Sequence, residues 1–263
     1  MTKTRVAIVG YGYVGKAMHK AFPDAVLFDT APGMPADKDA VNGCDVAFVC
    51  VPTPSGEGGA CGISAVQDVV SWLATPIIVL RSTVPPGTTD SLAQKYAKRI
   101  VFQPEYIGET PGHPFADISA RDFFVLGGKP EDTAAVAAIY SRVYHSSVRF
   151  YFTDARTAEL AKYMENCYFA MKVLFCSEFR KIAEAMGVRY EQLREMWLAD
   201  PRISPDHTFA YADEPGFGGK CLPKDVAALI EAARQHGYQA QLMEAVDGIN
   251  KLYRADIGNK LVP

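Results

Sequence analysis

Short apolar runs and helical segments alternate along the first part of the chain. The apolar runs predict strands at residues 5–9, 26–28, 45–51, 77–80, 100–102, 123–126 and 148–152. Between them, apolar residues at helical spacing predict helices at 16–22, 64–73, 88–97 and 131–143. The run 45–51 is apolar at almost every position, as expected of a strand buried on both faces. The alternation predicts an α/β fold with a doubly wound parallel sheet, in which ligands bind beyond the carboxyl ends of the strands.

After residue 152 the strand pattern stops, and helical spacing continues to the end. A long helix is predicted to begin at Thr153 or Asp154 and to end near 186, before Gly187. Its apolar residues cover more than one narrow stripe, which favours burial on several sides, including against a partner subunit. Shorter helices are predicted at 190–198, 223–236 and 241–259. We therefore expect one domain at 1–152 and an all-helical domain at 153–263.

Composition narrows the class of protein. The 263 residues are 49% hydrophobic and 22% charged, with a net charge of −3, typical of a soluble globular protein. This charge does not suggest nucleic acid or an anionic membrane as a partner. No apolar run has the length of a membrane span, and the first is too short for a signal peptide. Six cysteines without paired spacing indicate a reducing cytoplasm and argue against disulfides or zinc, and the five histidines form no metal spacing.

A glycine-rich turn follows the first strand directly. Residues 10–15 read Gly-Tyr-Gly-Tyr-Val-Gly, and the second strand ends at Asp29, 19 residues past Gly10. In this context of strand, turn and helix, the motif predicts a Rossmann-type site for a dinucleotide pyrophosphate. Asp29 would accept hydrogen bonds from the ribose hydroxyls and repel a 2′-phosphate, which favours NAD over NADP. The alternative is a purely structural turn.

Three loops lie at the predicted carboxyl ends of later strands, at 51–54, 81–87 and 103–109. They bring one hydroxyl, Thr83, and two carboxylates, Glu105 and Glu109, toward the expected nicotinamide position. Taken singly, a Ser-Thr pair is more often a helix cap and a loop glutamate is more often solvated.

A second glycine-rich segment carries the most distinctive residue of the chain. Residues 216–226 read Gly-Phe-Gly-Gly-Lys-Cys-Leu-Pro-Lys-Asp-Val. Cys221 lies between Lys220 and Lys224, and Asp225 follows in the first turn of a predicted helix. Positive charge and a helix N-terminus favour the nucleophilic thiolate, so the segment indicates covalent catalysis. The alternative is a small apolar residue near a surface loop.

The long helix carries two polar residues in an apolar pattern. Lys162 and Asn166 are four residues apart and share one face of that helix. Because both are polar within an apolar pattern, they are candidate site residues. The alternative is an exposed polar strip that also includes Glu159 and Glu165.

Together these motifs resemble the UDP-glucose/GDP-mannose dehydrogenase family. The resemblance covers essentially the whole chain and is most specific in the cysteine segment. Its other matching segments are 10–15, 51–54, 82–85, 104–109, 159–166 and 200–203. The family oxidises the C6 alcohol of a nucleotide sugar to a carboxylate with two NAD per turnover.

The resemblance implies a role for each matching residue. Cys221 attacks the intermediate aldehyde, giving a thiohemiacetal and then a thioester, and Lys162 and Asn166 stabilise oxyanions. Asp225, with Lys162 and Thr83, positions a water, and Glu105 is the base for thioester hydrolysis. The residues implied in substrate binding are Glu109, Tyr106, Arg202, Gly218 and Lys224. Those implied in NAD binding are Gly10, Gly12, Tyr13, Val14, Gly15, Asp29, Val51, Pro52, Thr53, Ser82 and Thr83.

The resemblance also implies a homodimer through the long helix, with Arg202 reaching the substrate across the subunit interface. Without the resemblance, Arg202 would be interpreted as a solvated loop arginine. The chain ends at Pro263, where family members normally continue into a third domain that helps hold the nucleotide. We therefore expect that domain to be absent, so that the substrate is smaller, a partner completes the site, the site is open and weak, or the chain is a piece of a longer one.

Two local departures from the family pattern accompany this difference in length. The loop at 103–110 reads Gln-Pro-Glu-Tyr-Ile-Gly-Glu-Thr, where the family usually has Asn-Pro-Glu-Phe-Leu-x-Glu-Gly. Gly62 stands where an aspartate is usual.

Two functions other than the four-electron oxidation of a nucleotide sugar stay open. One is a single two-electron oxidation, as in hydroxyacid dehydrogenases, and the other is a non-catalytic protein that binds NAD or a sugar nucleotide.

Overall fold

The computed structural model describes residues 4–107 and 121–260, with side chains as far as residue 255. Contacts divide the chain into two compact units. The first consists of Met1–Gly56 and Cys61–Lys162, and the second of Glu57–Ala60 and Tyr163–Pro263. The division falls inside the long helix that was predicted to begin the second domain.

The first unit contains a seven-stranded sheet. Its strands are β1 Val6–Val9, β2 Val26–Phe28, β3 Val46–Val49, β4 Ile77–Leu80, β5 Ile100–Phe102, β6 Phe123–Gly127 and β7 Arg149–Thr153. Their order is β2-β1-β3-β4-β5-β6-β7, and all neighbours are parallel except β5 and β6. The doubly wound prediction is confirmed, with one correction: β6 and β7 run opposite to the other strands. An apolar run carries no information about strand direction, so the sequence could not predict this reversal.

Among the described residues of the first unit, six helices begin. They are α1 Tyr13–Ala21, α2 Lys38–Asn42, α3 Ser64–Trp72, α4 Thr88–Tyr96, α5 Pro130–Tyr140 and α6 Ala155–Ala185. The short helix α2 was not predicted. Its first turn is capped by Asp37, whose Oδ1 accepts hydrogen bonds from the N–H groups of Asp39 and Ala40 at 2.9 and 3.0 Å.

The central strands are buried on both faces because helices cover the sheet from both sides. Alternate residues of β1, β3 and β4 contribute to two separate hydrophobic clusters. Val9, Val49 and Leu80 belong to one cluster, whereas Ile8 and Phe48 belong to the other. Two covered faces leave the loops at the strand ends as the places where polar side chains can gather.

The second unit is helical. It comprises most of α6 with α7 Tyr190–Leu198, α8 Leu222–Gln235, α9 Gln241–Lys260 and a 3₁₀ turn at Glu57–Gly59. Helix α6 begins after Asp154, whose Oδ1 accepts a hydrogen bond from the N–H of Thr157 at 2.8 Å. It ends before Gly187, which has a φ of +68°. Both predicted helix boundaries are confirmed.

Helix α6 has buried and exposed apolar residues. Tyr163, Cys167 and Leu174 are buried in the single chain. Large apolar side chains that stay exposed recur along the same helix: Leu160, Met164, Tyr168, Phe175 and Phe179. The predicted pattern of more than one apolar stripe along this helix is confirmed.

Within residues 4–107 and 121–260, no helix is both long and apolar enough to cross a membrane.

Candidate active site

The glycine-rich turn is shaped by close backbone packing. Gly10 has a φ of +94°, and a Cβ there would lie 2.8 Å from the carbonyl of Cys50. A Cβ on Gly15 would lie 2.0 Å from the carbonyl oxygen of Gly10. In contrast, a Cβ on Gly12, at the N-terminus of α1, would meet no atom within 4 Å. The first and third glycines are therefore required by packing, while the second leaves the helix N-terminus open to a phosphate.

Asp29 lies at the end of β2, beside this turn. Its Oδ2 accepts a hydrogen bond from the N–H of Tyr11 at 2.5 Å, and its Oδ1 accepts one from Ala31 at 2.8 Å. The Tyr11 hydrogen bond is the main reason that the pKa of Asp29 lies below its usual value. The turn thus holds an ionised carboxylate at the edge of the site. The open glycine and this acceptor fit the pyrophosphate and ribose of NAD.

The carboxyl ends of four neighbouring strands finish in register. The residues that follow β1, β3, β4 and β5 donate backbone hydrogen bonds to the adjacent strand at 2.7–2.9 Å: Gly10, Cys50, Arg81 and Gln103. The residues one position further along after β3 and β4 also contact each other: Ser82 Oγ donates a hydrogen bond to the carbonyl of Val51 at 2.6 Å. Cys61 Sγ contacts the carbonyl of Thr83 at 3.6 Å. The predicted loops at 51–54 and 81–87 therefore adjoin each other.

Glu105 is fully engaged in a buried ionic cluster. Its carboxylate pairs with the guanidinium groups of Arg81 and Arg121, both almost completely buried. It also accepts hydrogen bonds from the N–H groups of Tyr106 and Ile107, at 2.6 and 2.5 Å. Sequence reasoning missed both arginines. The position of Arg81, a charged residue directly after a buried strand, was a signal that could have identified it.

Tyr106 provides an aromatic ring near two cations. Lys162 Nζ lies 4.7 Å from the ring centroid, and Arg121 lies 5.4 Å from it. Both distances are within the range of a cation–π contact. The predicted site residues Tyr106 and Lys162 are therefore neighbours. Glu109, in the same loop, lies outside the described residues.

Three polar residues of α6 that were considered in the sequence are buried. Glu159 is 0% exposed, and Lys162 and Asn166 are each 7% exposed. The alternative of an exposed polar strip is therefore wrong for these three. Glu159 accepts hydrogen bonds from Gly87 N–H at 2.5 Å, and from the N–H and hydroxyl of Thr89 at 2.8 and 2.6 Å. It thereby caps α4, directly after the loop that carries Thr83.

Burial raises the pKa of Glu159 to about 7, although its hydrogen bonds to Thr89 and Gly87 oppose the rise. We expect Glu159→Gln to remove a pH dependence of stability. The carboxyl binds its proton more tightly in the fold than in the unfolded chain, whose value is 4.5. This tighter proton binding stabilises the fold fully below pH 4.5, the pKa in the unfolded chain. The stabilisation is lost as the pH rises through the pKa of the folded protein, about 7. The wild type should lose about 3 kcal/mol more than the variant over this interval.

Urea unfolding at a series of pH values from about 4 to 8 would measure this difference. Glu184→Gln is the matched control, because Glu184 has a 73% exposed side chain and should leave the pH dependence unchanged. Parallel pH curves for the wild type and Glu159→Gln would contradict the expectation.

In the second unit, Cys221 lies at the N-terminus of α8. Of the six cysteines, all within the described residues and none in a disulfide, it alone is exposed. Its carbonyl accepts the first helical hydrogen bond, from Asp225 N–H at 2.9 Å. Cys167 differs, because burial first and the charge of Asp225 second raise its pKa to about 12. Exposure and the helix terminus favour Cys221 as the nucleophile of this unit.

Asp225 contacts two other predicted site residues. It is 1% exposed, and its Oδ2 accepts a hydrogen bond from Asn166 Nδ2 at 2.5 Å. Its Oδ1 pairs with Lys224 Nζ, also at 2.5 Å. The structure therefore brings Asn166, Lys224 and Asp225 together, one turn of α8 after Cys221. A buried carboxylate fixed by two donors can orient polar groups beside that thiol.

Two further predicted residues are placed differently. Arg202 has an 86% exposed side chain and pairs with Asp200 at 2.5 Å. Its ion-pair partner in the described part of the chain is thus not one of the predicted site residues. Gly218 packs near Arg254, whose guanidinium would lie 3.1 Å from a Cβ at that position.

Within the described parts of the chain, no group of three or more histidine, cysteine, aspartate or glutamate side chains could hold a metal ion.

The sheet, the open helix N-terminus and Asp29 define a Rossmann-type dinucleotide-binding protein whose second, helical unit displays a cysteine. The chain belongs to the UDP-glucose/GDP-mannose dehydrogenase family. The family's NAD binding domain matches residues 34–148, and its central domain matches residues 156–252. The family, the fold class and NAD as cofactor, all predicted from the sequence, are confirmed.

Individual relatives agree with this assignment. UDP-glucose 6-dehydrogenase of Rhizobium meliloti (strain 1021) is 31% identical over 241 residues, covering 86% of this chain and 54% of that protein. UDP-N-acetyl-D-mannosamine dehydrogenase of Methanocaldococcus jannaschii is 32% identical over 237 residues, covering 81% and 53%. The solved UDP-glucose dehydrogenase of Pyrobaculum islandicum superposes with a TM-score of 0.83 at 25% identity, covering 95% of this chain and 68% of that one. The chain spans about half the length of the curated relatives it matches.

Proposed function

We propose that this chain oxidises the C6 alcohol of a nucleotide sugar to a carboxylate in two NAD-dependent steps, through a covalent intermediate on Cys221. The observation that carries the proposal is the display of this exposed thiol at the N-terminus of α8, one turn before the buried pair of Asn166 and Asp225. The names of the relatives indicate UDP-sugars, UDP-glucose and UDP-N-acetyl-D-mannosamine, as first candidates.

NAD, when bound, accepts one hydride in each oxidation. Gly12 and Asp29 would hold its pyrophosphate and ribose, and the other residues predicted for NAD remain part of the proposal: Gly10, Tyr13, Val14, Gly15, Val51, Pro52, Thr53, Ser82 and Thr83. The Cys221 thiolate attacks the aldehyde formed in the first oxidation and gives a thiohemiacetal. Oxidation of this adduct gives a thioester, which water hydrolyses to the acid and the free thiol.

Lys162 and Asn166 are proposed to stabilise the oxyanions of these intermediates. A buried ammonium and a buried amide are effective donors because little water competes for them. The contact of Lys162 with the Tyr106 ring supports a fixed position for the ammonium. Asp225, with Lys162 and Thr83, is proposed to hold a water for proton transfer.

Glu105 is proposed as the base for thioester hydrolysis, with a restriction that its contacts impose. Two guanidinium groups and two backbone N–H groups already surround its carboxylate. It can accept a proton from water only if one of these donors moves away. The cluster also supports a second role, in which Glu105 fixes the loop that carries Tyr106.

Substrate binding is proposed for Tyr106, Gly218 and Lys224, together with Glu109 and Arg202. The ion pair of Lys224 with Asp225 would have to open, or be shared, for Lys224 to contact a substrate. Arg202 is exposed in the single chain, which is compatible with a role across a subunit interface. A homodimer through the exposed apolar residues of α6 and a reducing, cytoplasmic location are part of the same proposal. The six cysteines, none of which forms a disulfide, support that location.

A ligand panel would test the proposed function. With NAD present, we expect UDP-glucose, UDP-N-acetyl-D-mannosamine or GDP-mannose to give NADH, and a simple hydroxyacid to give none. NAD at about a hundredfold excess over its Kd should raise the melting temperature by roughly 5 °C or more. NADH formed only from the hydroxyacid would contradict the proposal and favour the single two-electron oxidation.

A further inference from the structure

Asn250 of α9 makes a two-way contact with the backbone of the cysteine segment. Its Oδ1 accepts a hydrogen bond from Phe217 N–H at 2.8 Å, and its Nδ2 donates one to the carbonyl of Phe217 at 3.1 Å. Asn250 is 6% exposed and Phe217 is 2% exposed. The amide therefore binds both polar groups of one residue, as a neighbouring strand would, in a place where little water could replace it.

The residue before Phe217 is fixed by the same arrangement. Gly216 has a φ of +79°, and a Cβ there would lie 2.4 Å from Asn250 Oδ1. Its N–H donates to the hydroxyl of Ser177, a 2% exposed residue of α6, at 3.0 Å. Gly216 is therefore required by the approach of Asn250 rather than by a ligand.

The stretch between Phe217 and Cys221 contains two glycines and is exposed from Gly219 onward. Gly219 has a φ of +78°, and a Cβ there would meet no atom within 4 Å. Lys220 and Cys221 are both exposed. Because glycine-rich backbone is flexible, the position of Cys221 depends on how the two ends of the segment are held. Helix α8 holds one end, and Asn250 holds the other.

We propose that Asn250 is a positioning residue for Cys221, which orients the thiol at the N-terminus of α8 by fixing Phe217 in both hydrogen-bonding directions. The proposal rests on the proposed function in one respect, namely that Cys221 is the nucleophile. Asn250 acts through the loop and does not contact the reacting atoms. Its loss should therefore change the reactivity of the thiol as well as the stability of the fold.

Asn250→Ala and Asn250→Asp test this inference. Aspartate keeps the acceptor for Phe217 N–H and cannot donate to the Phe217 carbonyl. Asn42 provides the matched control in the first unit, where its Oδ1 accepts from Ala74 N–H at 2.8 Å and its Nδ2 donates to Trp72 at 3.3 Å. Asn42→Ala therefore removes an equivalent pair of hydrogen bonds from a different segment.

The measurement is the rate at which iodoacetamide alkylates Cys221, followed by mass spectrometry of its peptide over a range of pH. Both Asn250 variants should react roughly fivefold more slowly than the wild type near neutral pH, because a loosened segment no longer holds the thiolate in one orientation toward the helix terminus that stabilises it. Asn42→Ala should match the wild type. If Asn250→Ala does not fold, the isosteric aspartate variant supplies the comparison.

An alkylation rate for Asn250→Asp equal to that of the wild type would overturn the positioning role. So would an equal slowing in Asn42→Ala, because the effect would then be general destabilisation. Alkylation needs no sugar, so this result is independent of whether any nucleotide sugar is oxidised. Where turnover is measurable, kcat should fall in the Asn250 variants with KM little changed.

Discussion

Replacing Cys221 with alanine should abolish the formation of carboxylate product. Without the thiol there is no thiohemiacetal, so the second oxidation loses its substrate, while the first oxidation needs no covalent bond to the chain. Loss of the nucleophile in covalent catalysis typically costs far more than 10²-fold, so we expect acid formation to fall by at least about 10³-fold. Quantifying the sugar acid by mass spectrometry, alongside NADH by absorbance, measures both steps.

Cys44→Ala is the control for this experiment. Cys44 is a buried thiol of the first unit, and its replacement should leave the yield of acid per NADH unchanged. Small amounts of NADH without acid in Cys221→Ala would agree with a stalled second step. Acid formation within a factor of two of the wild type would exclude a covalent role for Cys221.

Replacing Glu105 with glutamine should strongly destabilise the first unit. The change preserves shape and removes the negative charge that pairs with both Arg81 and Arg121. Removing one partner of a buried ion pair typically costs about 3–5 kcal/mol, because the remaining charge is buried without compensation. We expect a loss of that order in the free energy of unfolding, measured by urea denaturation.

Asp122→Asn is the matched control for Glu105→Gln. Asp122 pairs with Arg149 at 3.0 Å, and both side chains are more than half exposed. Exposed pairs contribute little, so this variant should lose less than about 1 kcal/mol. Equal losses in the two variants would contradict the buried-cluster account. Accumulation of acyl-enzyme on Cys221 in Glu105→Gln would separately support Glu105 as the hydrolytic base.

Much of the fold could be predicted because buried strands and capped helices leave local patterns. The strands β2, β4 and β5 and the helix α7 have the predicted bounds, since apolar runs or periodic segments end there at polar or turn residues. The short helix α2 was missed because five residues are too few to establish a period. The reversed direction of β6 and β7 was missed because pairing between strands is not a local property.

The candidate site was predictable where a motif is contiguous. The glycines, Asp29 and Cys221 each lie in a short segment whose chemistry can be interpreted directly. The burial of Glu159 and Asn166 could not be predicted, because their partners Thr89 and Asp225 lie 70 and 59 residues away. A polar residue on a helix looks the same in sequence whether it is solvated or paired.

Asn250 and Arg81 were missed for the same reason, because their partners are distant along the chain. Asn250 contacts a residue 33 positions away, and Arg81 contacts Gln103, 22 positions away. Only the fold brings these groups together. Because both side chains are buried, leaving their polar groups without partners would lower the stability of the fold.

The ratio of NADH formed to sugar consumed tests the central claim most directly. With NAD in excess and a limiting, accurately known amount of a turned-over nucleotide sugar, the reaction is followed to completion. The thioester account predicts two NADH for each sugar, with the carboxylate as the end product. A ratio of one, with an aldehyde or ketone as the end product, would contradict it.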